Sequence, residues 1–402
     1  MRQTKLFLFI FAAIGLVLAA CSKDELKVKT SQVGVALTNP AGLTNPQITD
    51  IAVEFKEVNS GVESKFNLRS AAELSNLTLP EGSYNVNLEG TVTFGADNDR
   101  QTSKIRGYKQ GIIISGGEVK LNIPLFLYNV ASKFVFQEIF FTGTVTKEGK
   151  QYNGDKYFVI YNNSEDTLYA DGLVISEAQF LTTTKRNYIP NIMGEAFTAG
   201  SIVMIPGTGK QYPILPGKGF TIANNAINHL EYNSNSFDLT SAEFELTLVG
   251  SINVDNPNVP DLINLNGNMT MHNRGFKTYV IARFPQNMTI DAYKAANYYE
   301  YKYLNSAGDT TKQNAYKIPN AWIMDAVNLS VETNYEWILT DPSLDMGWSY
   351  CGKVDSDKTR YGKAVRRKEL LTNPDGRVVL KDNNNSTLDF DPEVTAKYLI
   401  KQ

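Results

Sequence analysis

The sequence predicts an all-β protein built as two β-sandwiches in tandem, the second carrying long irregular insertions and one short helix. Two observations carry this reading. Apolar residues recur at spacings of two through most of the chain, with Gly and Pro between the runs. That is the pattern of strands with one face in a core and the other in water. The pattern also restarts near Asn129–Ser132, and 402 residues are too many for one ordinary core. The expected domains are 29–130 and 131–402, preceded by a signal over 1–20 and a tether over 21–28.

The first element is the signal. Arg2 and Lys5 precede an apolar run from Leu6 to Leu18, and Ala19 and Ala20 lead into Cys21. The run is too short to cross a bilayer core of about 30 Å, so it reads as a secretory signal and not a spanning helix. Leu18-Ala19-Ala20-Cys21 resembles the bacterial lipobox, which implies that Cys21 is acylated and becomes the first mature residue. Two acyl chains already give stable attachment, so outer-membrane lipid is the first implied partner. Lys23, Asp24 and Glu25 resemble the surface-export signal of Bacteroidota-type lipoproteins. A lipid-anchored protein of the outer membrane, facing the cell exterior, is the expected location.

In the first domain Ile51, Val53 and Phe55 alternate with polar neighbours. Leu77 and Leu79 do the same before Pro80-Glu81-Gly82, and Tyr84, Val86, Leu88, Val92 and Phe94 continue on one parity. Val119, Leu121, Ile123 and Leu125 close the series after Ser115-Gly116-Gly117. Antiparallel strands are expected. The stretch from Leu77 to Val86 resembles the hairpin of prealbumin-like and carboxypeptidase-regulatory-like modules, which implies a prealbumin-like sandwich acting as spacer or scaffold.

The second domain opens with Phe134, Phe136, Ile139 and Phe141. A strand over 155–161 runs into Asn162-Asn163-Ser164, a second covers Leu168–Leu173, and Tyr212-Pro213-Ile214-Leu215-Pro216-Gly217 leads into Phe220–Ala223. These pieces resemble the lamin-tail (LTD) immunoglobulin-like sandwich. Val159 stands where such domains carry a glutamate, so no role for that acid carries over. Insertions are expected near 224–275, which is rich in Asn, and over 289–350. Thr289 or Asp291 caps the best helix candidate, 289–305, whose end Tyr298–Tyr303 alternates like a strand. Trp322–Val327, Tyr361–Lys368 and Leu380–Phe390 resemble phrases of a Bacteroidota-type surface lipoprotein family built on a domain of unknown function. That resemblance implies nutrient capture beside a TonB-dependent transporter, and no residue role.

Composition narrows the chemistry. The net charge is −3 and becomes more negative once Arg2 and Lys5 leave with the signal, so nothing attracts nucleic acid. With Cys21 lipidated, Cys351 has no disulfide partner and reads as a small buried hydrophobe. His229 and His272 stand apart, outside any zinc-ligand spacing, and each reads as a surface or hydrogen-bonded residue. Gly207-Thr208-Gly209-Lys210 is a turn: Met204 replaces the first glycine of a phosphate loop and Gln211 its hydroxyl residue. No cofactor is expected. Calcium is the one metal with oxygen-rich candidates, Asp382, Asn383, Asn385, Asp389 and Asp391 in one group and Asp255, Asn256, Asn258 and Asp261 in another.

Binding surfaces have more support. Trp322, Tyr335, Trp337, Trp348 and Tyr350 fall within thirty residues. Such faces dock sugars and flat siderophore-like molecules, and equally fill sandwich cores. Arg360, Lys363, Arg366, Arg367 and Lys368 form the one basic run, a surface hairpin or a site for an anionic ligand. The expected function is a non-enzymatic surface lipoprotein that binds a glycan or siderophore-like ligand, or serves a TonB-dependent uptake system. The alternatives are an adhesive stalk and head, and an accessory to a hydrolase or nuclease.

Overall fold

The computed structural model describes residues 28–398, apart from 40–42, 44, 96–100, 129–132, 247–253, 306 and 374–375. Cys21, Lys23, Asp24, Glu25 and the pattern break at 129–132 lie outside the described residues. The chain is mostly β and divides into two compact units, Met1–Leu125 and Phe126–Gln402. Among the described residues no helix is long and apolar enough to cross a membrane.

In the first unit β1 (Thr30–Thr38), β2 (Gln47–Glu57), β3 (Glu63–Ser70), β4 (Leu77–Pro80), β5 (Gly82–Phe94), β6 (Gln101–Ile114) and β7 (Glu118–Tyr128) form one sheet of order β3-β2-β5-β6-β7-β1-β4. The period-two residues bury as their parity demands. Ile51, Val53, Phe55, Leu77, Leu79, Tyr84, Val86 and Leu88 are all 5% exposed or less, while their neighbours in sequence meet solvent.

Two expectations need correction here. The strands are not all antiparallel: β1 runs parallel to β7, with Val33 opposite Val119 and Val35 opposite Leu121. A parallel pair needs a long connection, and 79 residues lie between Thr38 and Glu118. Nor is Leu77–Val86 a hairpin. β4 pairs with β1, while β5 pairs with β2 and β6. Pro80 and Gly82 therefore flank a crossing, pinned where Tyr84 Oη donates to the Pro80 carbonyl at 2.9 Å.

The second unit contains β8 (Phe134–Phe140), β9 (Tyr157–Asn162), β10 (Leu168–Tyr169), β11 (Leu173–Ala178), β12 (Ala196–Met204), β13 (Pro213–Ile214), β14 (Gly219–Ala223), β15 (Phe244–Glu245), β16 (Ile263–Asn266) and β17 (Thr278–Arg283). Helix α1 (Ile290–Asn297) follows, then β18 (Tyr298–Leu304), β19 (Thr310–Pro319), β20 (Ile323–Asn328), β21 (Lys363–Arg367), β22 (Glu369–Thr372), β23 (Val378–Leu380), a single turn α2 (Ser386–Asp389) and β24 (Phe390–Thr395). One sheet has order β15-β14-β9-β8-β21-β24; the other has order β18-β19-β12-β11-β17-β20, with β16 on β12.

These two sheets share one core. Phe134, Phe136, Phe158, Ile160, Phe220 and Ile222 from the first meet Leu173, Ile175, Val203, Tyr279, Ile281 and Val327 from the second. Residues of opposite parity serve the outer faces: Tyr157 and Val159 form one outer cluster, and Val174, Val280 and Ala282 another. A bulge between Phe136 and Glu138 switches parity, which is why both Phe136 and Ile139 point inward.

Local predictions fare unevenly in this unit. Thr289 does cap α1, its hydroxyl accepting from the Ala292 N–H at 3.1 Å, and Tyr298 begins a strand. Residues 289–350 are not one irregular insertion, because β18, β19 and β20 belong to the second sheet. The strand expected over Leu168–Leu173 is a two-residue bridge, then a turn at Asp171-Gly172; the true strand starts at Leu173. Asp171 turns the chain there, its carboxylate accepting from the N–H groups of Gly209, Gln211 and Tyr212. The Gly207–Lys210 stretch is thus a turn held by a carboxylate, as its sequence indicates.

Candidate functional site

The segment after β20 forms the candidate site, and a buried polar network fixes it. Asn328 Oδ1 accepts from the Leu339 N–H at 3.1 Å, while its amide donates to Thr340 Oγ1 and to Asp345 Oδ2. Asp345 is fully buried and receives the Ser386 hydroxyl and N–H, so its oxygens are satisfied without a cation. Burial pushes its carboxyl up, and the Ser386 bonds oppose that. Thr387 then clamps the Trp348 backbone from both sides, receiving its N–H at 3.0 Å and donating to its carbonyl at 2.8 Å.

That clamp leaves the Trp348 ring free to stack. Tyr335 lies parallel to it at 5.0 Å with an interplanar angle of 21°, and Tyr350 follows at 5.8 Å. All three rings are half-buried. Trp337 faces the other way: its Nε1 donates to the Leu181 carbonyl at 2.8 Å and its ring leans on Phe180 at 5.7 Å.

Between this segment and the loop 185–193 lies an open cleft of about 510 Å³, lined by Tyr335, Trp337, Ile338, Tyr188, Lys185 and Arg186. Arg186 stacks over Tyr303 at 4.6 Å. The loop is held to the edge strand β18 where Ile189 and Lys302 exchange backbone hydrogen bonds at 2.8 and 2.9 Å. The cleft therefore offers ring faces beside two cations. Lys185 and Arg186 had no sequence signal of their own, since 150 residues separate them from Tyr335; the alternating tyrosines of Tyr298–Tyr303 were the visible trace of the wall behind them.

Other predicted site residues lie elsewhere. Trp322 sits on a short helical turn against Phe284 at 5.8 Å and Tyr293 at 6.4 Å, apart from the other four aromatics. Arg366 and Arg367, the anion ligands expected in the basic run, are engaged within the protein. Arg367 is 3% exposed, with Nη2 at 2.6 Å from Asp325 and Nη1 at 3.3 Å from Asp382. Arg366 Nε binds the buried Glu138 at 2.6 Å, and Arg360 Nε donates to the Asn273 carbonyl at 3.0 Å. Strand alternation sends the two apart: Ala364 and Arg366 face the outer side of the sheet, where Glu138 and Tyr157 lie, while Val365 and Arg367 face the shared core and Asp325.

The oxygen-rich groups also separate. Asp382 and Asp389 face the Arg367 guanidinium, Asn385 caps α2, Asn383 donates its N–H to Asp389, and Asp391 is exposed. A cation already occupies the centre of that group, which corrects the calcium expectation there. In the other, Asp255 and Asp261 come together with Glu245, their oxygens within 4.8 Å of one another, while Asn256 and Asn258 bond to backbone and to each other. Glu245 already receives the N–H groups of Ala226 and Asn256. The histidines are hydrogen-bonded: His229 to Tyr152 and the Asn225 carbonyl, both at 2.9 Å, and His272 to the Phe276 N–H at 3.3 Å. Cys351 is fully buried in the shared core.

Residues 215–397 match a family model described as "Protein of unknown function (DUF4876)". The chain is similar to the crystal structure of a DUF4876 family protein from Bacteroides thetaiotaomicron VPI-5482, with 23% identity, a TM-score of 0.57 and coverage of 92% of this chain and 96% of that one. The likeness is one of fold. An adhesin candidate from Bacteroides ovatus ATCC 8483 aligns at 10% identity over 75% of this chain and 87% of its own, with a TM-score of 0.19 that carries no structural argument. No curated protein matches the chain.

Proposed function

We propose that this chain is a lipid-anchored, non-enzymatic binding protein of the outer membrane whose second unit holds a ring-bearing ligand, a glycan or a flat siderophore-like molecule, in the Tyr335–Trp337 cleft. The observation that carries the reading is the Tyr335–Trp348 stack: two half-buried rings 5.0 Å apart, one of them on a backbone clamped by Thr387. Rings held by their backbone lose little freedom on binding, so contact area converts to affinity more fully. Lys185 and Arg186 suit a ligand that carries negative charge.

The anchor belongs to the same proposal and rests on Cys21 and the residues around it, with Lys23, Asp24 and Glu25 as export signal. So do the prealbumin-like and lamin-tail-like readings of the two units, and a role beside a TonB-dependent transporter. The described groups with shifted pKa are mostly interior and paired, Arg367 with its aspartates and Glu177 with Lys277 and Tyr279, which suits a binding protein better than a catalyst.

The test has two arms. Cys21→Ala should release the protein from the membrane fraction. Tryptophan fluorescence titrated with glycans and with iron-siderophore chelates should respond to one class, and Tyr335→Ala should abolish that response. Retention in the membrane would sink the anchor, and an unchanged response in Tyr335→Ala would sink the cleft. The second reading is adhesive: Ile189 and Leu304 are 74% and 64% exposed near the β18 edge, a surface suited to protein partners. A protein captured from native outer membranes and lost on Leu304→Lys would favour it.

A further inference from the structure

The outer face of the six-stranded sheet is only partly covered. One cluster covers it around Phe140, Tyr157 and Val159, and another around Val135, Tyr161 and Leu380. Between them lies a groove of about 1090 Å³, twice the volume of the aromatic cleft and at the upper end of small-molecule sites. Its floor is Gln137 on β8, Val159 on β9 and Thr221 on β14, residues of outward parity on three adjacent strands.

The floor carries hydrogen-bonding groups left without a partner among the described residues. Among the described residues the Gln137 amide and the Thr221 hydroxyl make no hydrogen bond, though Thr221 is only 4% exposed. Lys218, Lys397 and Glu369, all exposed, also line the groove and make no ion pair among the described residues. Phe237 and Tyr398 supply flat walls, and Tyr398 is held in place by a 2.7 Å hydrogen bond with the Ser241 hydroxyl.

We propose that this groove is a second binding site, separate from the aromatic cleft, and that its ligand is an oligosaccharide. A sugar hydroxyl donates and accepts at once, so a run of them satisfies a lining that holds both donors (Lys218, Lys397, the Gln137 amine) and acceptors (Glu369, the Gln137 carbonyl). Pyranose rings present apolar C–H faces to walls such as Phe237 and Tyr398. A peptide strand would need unpaired backbone at the sheet edge in register. The edge beside the groove is already taken, because Thr221 gives its N–H to Glu243 and receives the Glu243 N–H in return.

The experiment is calorimetric titration of the purified protein with linear hexasaccharides of glucose, xylose, mannose and N-acetylglucosamine. At least one should bind. Gln137→Ala should weaken it about tenfold, the equivalent of about 1.4 kcal/mol, and Lys218→Glu, on the exposed rim, should weaken it without changing the melting temperature. Tyr335→Ala, in the aromatic cleft, should leave it unchanged, so failure of that cleft and failure of this groove are distinguishable. The proposal is overturned if no hexasaccharide binds at millimolar concentration. It is equally overturned if Gln137→Ala and Lys218→Glu both retain full affinity, or if only Tyr335→Ala abolishes binding. Competition by a peptide library would also overturn the choice of ligand.

Discussion

Arg367 on β21 and Asp325 on β20 tie the two sheets of the second unit together by an ion pair at the sheet interface. Arg367 Nη2 lies 2.7 and 2.6 Å from the two Asp325 oxygens, and both side chains are about 1% exposed. Asp325 also accepts the Phe136 N–H at 2.7 Å, so β8, β20 and β21 meet at one carboxylate. Asp382 and Asp389 crowd the same guanidinium at 3.3 and 3.8 Å, with the Phe390 ring 4.5 Å from it.

Removing the cation should be severe. Arg367→Met leaves three buried carboxylates around an apolar stem, and a buried charge that loses its partner costs about 3–5 kcal/mol. Urea unfolding at neutral pH should show a loss of that size. A loss no larger than that of an exposed lysine variant would mean that water reaches the cluster.

Stability should also fall in acid, partly through His272. Burial, then Arg274, Lys277 and Lys156, push its imidazole down to about 4. The unfolded chain, with an ordinary histidine near 6.5, binds the proton first. Its contribution is therefore complete above pH 6.5 and disappears as pH falls toward 4. Roughly 1.4 kcal/mol per unit makes this on the order of 3 kcal/mol. His272→Gln should flatten the pH profile of unfolding over that window, and a parallel profile would reject the assignment.

Two glycines with the same backbone should differ sharply. Gly143 has φ +67°, and a Cβ there would meet the Tyr152 carbonyl oxygen at 1.9 Å. Gly172 has φ +68° and open space around it. Alanine at Gly172 should cost about 1 kcal/mol for the left-handed backbone alone. At Gly143 the clash adds to that cost, and the melting temperature should fall much further.

Cys351 should be inert in the folded protein. Burial pushes its thiol well above the ordinary range, and its side chain is 0% exposed. An aromatic disulfide reagent should modify it only after denaturant is added, with the Cys21→Ser background removing the other thiol. Rapid labelling without denaturant would show that the shared core opens.

EDTA is expected to leave the melting temperature unchanged. The Glu245–Asp255–Asp261 group has its buried member already hydrogen-bonded to Ala226 and Asn256, and the other two exposed. A drop of several degrees, reversed by calcium, would make that group a structural cation site.

The sequence by itself determined the faces of the strands, because the pleat is local and alternates side chains whatever the strand is paired with. Ile51, Val53, Phe55, Leu77 and Leu79 were readable as core for that reason, while the helix cap, open between Thr289 and Asp291, and the burial of Cys351 were read from residue type. Which strands meet was settled only by the tertiary structure, since pairing over long separations leaves no periodic trace. The parallel β1–β7 pair, the crossing at Glu81 and the membership of β18–β20 in the second sheet are all of this kind. The same limit governs the sites. Tyr335 and Trp337 line one cleft while Trp322 packs elsewhere, and Arg366 and Arg367 face opposite sides of their sheet, toward acids 228 and 42 residues distant. A charged or aromatic side chain has no fixed destination in a local pattern; the partner brought against it by the fold decides whether it is core, ion pair or binding surface.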